Sequence, residues 1–401
     1  MIESGGPGSR GTLRRVVVAV LLLAAVGGGV GVGALLAAAN GPDSVASASG
    51  SPDPSPTPQP TPTPMPTRTP APTRTPRPTP RPTPVLVPAP LTGLPISPEA
   101  AAFHPIAVMI DDHRDARPQA GFNSAAVVWQ APAEGGIPRY MLLFQDTIPG
   151  SVGPVRSARH YYVDWAAEWN AVYVHVGGSP DALATLRSKG RGQLVWNADE
   201  FRYGGTYLWR SPDHRAPHNV YTDGEHLRGL AAAVGATDGP IEPAWTFGPA
   251  LATALRPVGA SLTVNYPTET ISYRYDSIAN AYWRYIDGST EPQVDAADGK
   301  VVAPTNVVIL RMRFGALNDG HPDKHRLDAD NIGEGEAIVS TNGRIIRGTW
   351  SKDSVTGATL LLDATGRPIR LTAGQTFVQV IALSYDYEVN EGTRLGIGRP
   401  G

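Results

Sequence analysis

The chain has 401 residues, a net charge of −2, 44 Gly, 40 Pro and no Cys. The missing Cys excludes disulfides, thiolate catalysis, Cys-ligated zinc or iron–sulfur centres, and the acylated Cys of a bacterial lipoprotein. Residues 1–85 carry seven Arg against three acids, a net of +4, so the whole-chain −2 leaves −6 on residues 86–401; an acidic body argues against a nucleic-acid surface.

The run at 16–39 (VVVAVLLLAAVGGGVGVGALLAAA) holds no charge. It is long enough to cross a hydrocarbon layer of ~30 Å at about 1.5 Å per residue. Arg10, Arg14 and Arg15 precede it, and no Lys or Arg follows closely. The positive-inside rule therefore predicts a basic cytoplasmic tail at 1–15, a single-pass anchor in the cell membrane at 16–39, and the remainder outside. Small residues just beyond the run also allow a cleaved signal peptide and a secreted form. Residues 40–90 alternate Pro with Thr, Ser and Arg and have no apolar period, so they predict a disordered stalk. In polyproline II, at about 3.1 Å per residue, such a stalk reaches on the order of 100 Å.

The body opens with an apolar run at 104–111 (HPIAVMID), a buried strand closing on Asp111, Asp112 and His113. Further strands are predicted at 125–130 and 139–145, with Glu134 and Arg139 on either side of a Gly135-Gly136 turn. Residues 158–169 place Tyr161, Tyr162, Trp165, Ala166 and Trp169 at helical spacing. A strand at 171–176 contains His175, and Ser179-Pro180 then predicts the N-cap and first residue of another helix. Residues 197–215 carry several aromatics without a period and read as a long binding loop or lid. Thr222 with Glu225 predicts a capping box opening a helix to about 234. Beyond Pro240 and Pro243 the pattern turns to alternation, and Asn342-Gly343 marks a hairpin between 337–341 and 344–350. The expected architecture is an α/β domain at 91–240 followed by a mostly antiparallel β domain at 250–390.

The candidate site centres on residues 153–159 (GPVRSAR). Arg156 and Arg159 follow a Gly-Pro break, and an Arg side chain is a permanently charged fork of donors suited to phosphate or carboxylate. The competing reading is a salt bridge to Asp111, Asp164 or Glu134. Around the pair, Asp111, Glu134, Arg139, His175, Arg215, His218 and Asn219 complete the expected ligand-binding set. No metal or cofactor is expected. There is no Walker or Rossmann fingerprint and no nucleophile elbow, and Pro217 breaks any helix that would put His214 and His218 on one metal.

Residues 107–119 (AVMIDDHRDARPQ), 134–136 (EGG), 153–159, 174–180 (VHVGGSP) and 215–222 (RAPHNVYT) resemble the YerB-like lipoprotein family, a domain of unknown function with a separate C-terminal part. Residues 348–352 (GTWSK) and 374–376 (GQT) resemble that second part. The resemblance implies a surface-anchored extracytoplasmic protein and supplies no catalytic residues. The lipobox Cys is replaced here by the uncharged run. The sequence therefore predicts a membrane-anchored binding or interaction protein, with anionic envelope polymers or other surface proteins as partners. The alternative is an envelope hydrolase or transferase, with Asp111 or Glu134 as base.

Overall fold

Unbroken apolar runs mark strands covered on both faces, and such runs build the largest sheet of this protein. In a computed structural model, the described residues are 65, 84–147 and 149–393. The predicted tail and anchor, most of the stalk and residues 394–401 lie outside them. Among the described residues no helix is long and apolar enough to cross a membrane.

The first region gives this sheet five strands: β1 (Ile106–Asp111), β2 (Val127–Pro132), β3 (Pro138–Phe144), β4 (Val172–His175) and β5 (Trp196–Asp199). Its longer helices are α1 (His160–Ala167), α2 (Pro180–Lys189) and α3 (Gly224–Val234). The second region supplies β6 (Ser261–Tyr266), β7 (Glu269–Asp276), β8 (Ala281–Ile286), β9 (Asn306–Met312), β10 (Gly333–Thr341), β11 (Arg344–Lys352), β12 (Leu360–Asp363), β13 (Thr376–Ala382) and β14 (Tyr387–Asn390). β1 to β4 and the β10–β11 hairpin lie where the residue patterns place them.

The strands of the two regions share one ten-stranded sheet, in the order β12-β11-β10-β9-β13-β2-β3-β1-β4-β5. β13 lies parallel to both β9 and β2 and so joins the two regions at the sheet centre. Every residue of β1, β2, β3, β4 and β13 is buried. One face packs under α1 and α2, where Trp129 and Trp165 stack at 4.8 Å. The other face is covered by α3 and by a four-stranded antiparallel sheet, β8-β7-β6-β14.

Three local expectations change. The supposed loop at 197–215 contains most of β5, which pairs in parallel with β4, and a helical turn at Glu200–Tyr203. The cap of α3 is Asp223, whose Oδ1 accepts the His226 amide at 2.9 Å, while the Thr222 hydroxyl donates to Tyr207 O. α2 begins at Pro180, but Ser179 makes no capping hydrogen bond. The Asn342-Gly343 hairpin holds: both residues have positive φ, 52° and 70°, as a type I′ turn requires.

Candidate functional site: a charged crevice at the ends of parallel strands

β1 and β4 run in parallel, so their carboxyl ends open on the same side, where α/β sheets place ligand groups. Residues 153–158 are laid across these ends by backbone hydrogen bonds. Asp111 N donates to Pro154 O at 2.9 Å, Arg156 N to Met109 O at 2.8 Å, and Ala158 N to Gly177 O at 2.9 Å. Val155 N donates to Val220 O at 2.7 Å, which docks the loop that carries His218. Gly153 is needed for a close approach, because a Cβ there would sit 2.5 Å from the Tyr221 ring. The peptide bonds Arg117–Pro118, Gly153–Pro154 and Ala216–Pro217 are all cis.

Asp111 is the hub. Its Oδ2 takes the His218 Nδ1 hydrogen bond at 2.6 Å, and Arg156 Nε lies 3.1 Å from the same oxygen, out of line for a hydrogen bond but close enough to pair charges. Its Oδ1 accepts the His113 amide at 3.1 Å. Burial pushes the Asp111 carboxyl up, but Arg156, Arg139, the His113 amide and His218 together hold it below its usual value. Arg156 Nη1 donates to Pro217 O at 3.3 Å, and its Nη2 makes no hydrogen bond among the described residues. The His113 and His218 rings stack at 4.8 Å beside this group.

The two guanidiniums that the sequence presents as a pair have different fates. Arg156 keeps 24% of its side chain exposed; Arg159 keeps 5% and is locked onto Glu134 through Nε, at 2.8 Å, and Nη2. The expectation of two open forks therefore fails for Arg159. It lies at the N-cap position of α1, where the chain turns its side chain into the interior. Arg139 is also buried, donating to Ser157 O at 3.0 Å and lying 3.5 Å from Glu134, so it braces the loop. His175 is sealed in the core between Gly177 O at 2.7 Å and Asn197 Oδ1 at 2.8 Å. Asn219 accepts from Arg210 at 3.1 Å, and Arg215 is exposed. Asp111 and Glu134, the carboxylates proposed as a base, are both engaged by cations.

Sequence reasoning missed a second polar cluster beside the first. A cleft of about 450 Å³ is lined by Asp112, His113, Arg114, Arg117, Ile137, Pro267, Thr268 and Glu269. In its wall, Gln130 Nε2 bridges Asp112 and Glu269 at 2.7 Å each, and Arg117 also touches both carboxyls. Arg284 reaches the same network through Gln130 Oε1 at 2.9 Å and Tyr140 OH at 2.7 Å. Burial, then the neighbouring Asp112 charge, raises Glu269 to about 9 against the pull of Arg117 and Arg284. Asp112 is likewise raised by burial. No sequence signal joins these residues, because Glu269 opens β7, far along the chain from Asp112.

The fold and crevice define a mixed-sheet α/β protein with a partly exposed Arg156 beside buried, cation-paired carboxylates. The chain belongs to the DUF3048 family of unknown function: the family's N-terminal domain matches residues 91–237 and its C-terminal domain residues 262–378. It is 31% identical over 301 residues to "Putative lipoprotein YerB" of Bacillus subtilis (strain 168), covering 73% of this chain and 85% of that protein. The crystal structure of YerB from Bacillus subtilis superposes with a TM-score of 0.66 at 27% identity, covering 75% of this chain and 99% of that one. The resemblance drawn from residues 107–222 and 348–376 is borne out.

Proposed function

We propose that this is a membrane-tethered extracytoplasmic binding protein whose crevice takes a phosphate- or carboxylate-bearing envelope polymer on Arg156. The observation that carries the reading is the partly exposed Arg156. Its charge is held in place by a buried carboxylate that it shares with His218, and its Nη2 is left without a hydrogen-bond acceptor among the described residues. A fixed guanidinium edge facing solvent is a ready oxyanion donor. Arg114, on the wall of the neighbouring cleft, adds positive charge close by in a body whose net charge is −6. The cell-surface placement draws on the lipoprotein name of the Bacillus subtilis relative and on the uncharged run at 16–39. Arg159, Arg139 and Glu134 support the loop and do not touch the ligand.

Co-sedimentation with isolated cell envelope tests this. Wild type is retained, and Arg156→Ala is retained about ten- to a hundredfold less tightly, as loss of a charge-assisted contact predicts. Equal retention of the two proteins ends the anion-site reading.

A further inference from the structure

A second donor set lies beside Arg156 in the crevice. His113, Asp115 and His218 each offer a ligand atom, and these atoms lie within 4.8 Å of one another. His218 is 9% exposed, and its Nδ1 is taken by Asp111 at 2.6 Å. Its remaining nitrogen, Nε2, makes no hydrogen bond among the described residues. A carboxylate on one imidazole nitrogen is the support that fixes the tautomer of a metal-bound histidine and turns its other nitrogen to the cation. His113 is the N-cap of the short turn Arg114–Ala116, and Asp115 lies within that turn. Both are accessible from solvent, so a cation has an entry path. Spacing could not show this set, because His113 and His218 lie far apart along the chain.

We propose that His113, Asp115 and His218 bind one divalent transition-metal cation of the zinc class, with Asp111 as the carboxylate that positions His218. Two imidazoles and one carboxylate suit a borderline cation and leave a coordination position open. Calcium and magnesium prefer all-oxygen sets and are disfavoured here. Binding gives up the Asp115 amide bond to His113 Nδ1 at 3.2 Å and opens the His113–His218 stack, so that both rings turn a nitrogen to the cation and the three donors draw in from their 4.8 Å spread. Arg156 opposes the site, because it draws on the same Asp111 oxygen as His218. Removal of Arg156 therefore strengthens metal binding, whereas it abolishes the anion contact. The two proposals predict opposite effects of one substitution.

The test is zinc titration of the chelator-stripped full-length chain, followed by calorimetry and by competition with a chromophoric chelator. Wild type binds one equivalent. His113→Ala and Asp115→Asn, both at accessible positions that should leave the fold intact, lose it. Asp111→Asn keeps the stoichiometry but binds about 10–100-fold more weakly. Arg156→Ala binds at least as tightly as wild type. The control is His226→Ala, which removes a surface His–Asp pair (2.9 Å) and leaves binding unchanged. Absence of a stoichiometric zinc site in wild type, or binding untouched by His113→Ala and Asp115→Asn, overturns the proposal and reduces any bound zinc to an adventitious cation only. Failure of the envelope experiment alone leaves the zinc result standing, and the reverse holds too.

Discussion

Lys352→Met lowers the stability of the protein by about 3–5 kcal/mol at neutral pH, the usual cost of stranding one member of a buried ion pair. Lys352 closes β11 and Glu168 caps the C-terminus of α1, so the pair ties the two regions of the chain together. Lys352 Nζ lies 3.0 Å from Glu168 Oε1, and both side chains are fully buried. Glu168 also accepts the Thr359 amide at 3.1 Å and the Thr359 hydroxyl. Burial pushes the Glu168 carboxyl up, and Lys352 is the main force holding it down. Without Lys352 the carboxyl is driven to take up a proton, so the destabilisation shrinks in acid. Glu168→Gln combined with Lys352→Met removes both charges and recovers much of the loss, because the desolvation of an unpaired ion disappears. Urea denaturation of the single and double variants at two pH values checks this. Two single losses that simply add would show that the residues act independently.

Glu269→Gln flattens the pH dependence of thermal stability between about pH 5 and 9. Glu269 titrates at about 9 in the folded protein, against an ordinary value of 4.5. The folded state therefore holds a proton that the unfolded chain releases. That stabilising contribution is fully present below about 4.5 and is lost as pH rises toward about 9. Across this window the wild type loses stability on the order of a few kcal/mol, at about 1.4 kcal/mol per pH unit before Arg117 and Arg284 respond, and its Tm falls accordingly. Asp112 and Glu269 titrate as a pair, and Gln mimics the protonated member. The substituted amide keeps one carbonyl oxygen as acceptor for either Gln130 Nε2 or Arg117, which bond to different oxygens of Glu269, and gives up the other contact. Melts at pH 5, 7 and 9 decide it; an unchanged slope in the variant places the titration elsewhere. Asp111 does not contribute in this window, because its carboxyl is depressed and titrates at lower pH.

The sequence is most legible where one residue pattern suffices. The apolar runs of β1, β3 and β13, the helical spacing of α1 and the Asn342-Gly343 turn each encode their own geometry. β5 escapes because only Ala198 of its four residues is fully buried, so it carries no apolar run. The insertion of β13 between β9 and β2 escapes because strand order is a non-local property. In the site, the 153–159 loop and the His218 segment are visible as motifs, but the different fates of Arg156 and Arg159 are not. Both are an Arg in a loop; which one is sealed depends on Glu134, brought up by the turn between β2 and β3. Asp112 is visible as an acid at a strand end, while its partner Glu269 lies in the other region of the chain. Residue type is readable from the chain, and partnership across the fold is not.

A crystal of this protein soaked in sulfate or phosphate interrogates the crevice itself. An anion bound to Arg156 Nη2, with Arg159 still closed on Glu134, is the expected result. Anion density that ignores Arg156, or an Arg156 turned fully onto Asp111 with no room for a ligand, contradicts it.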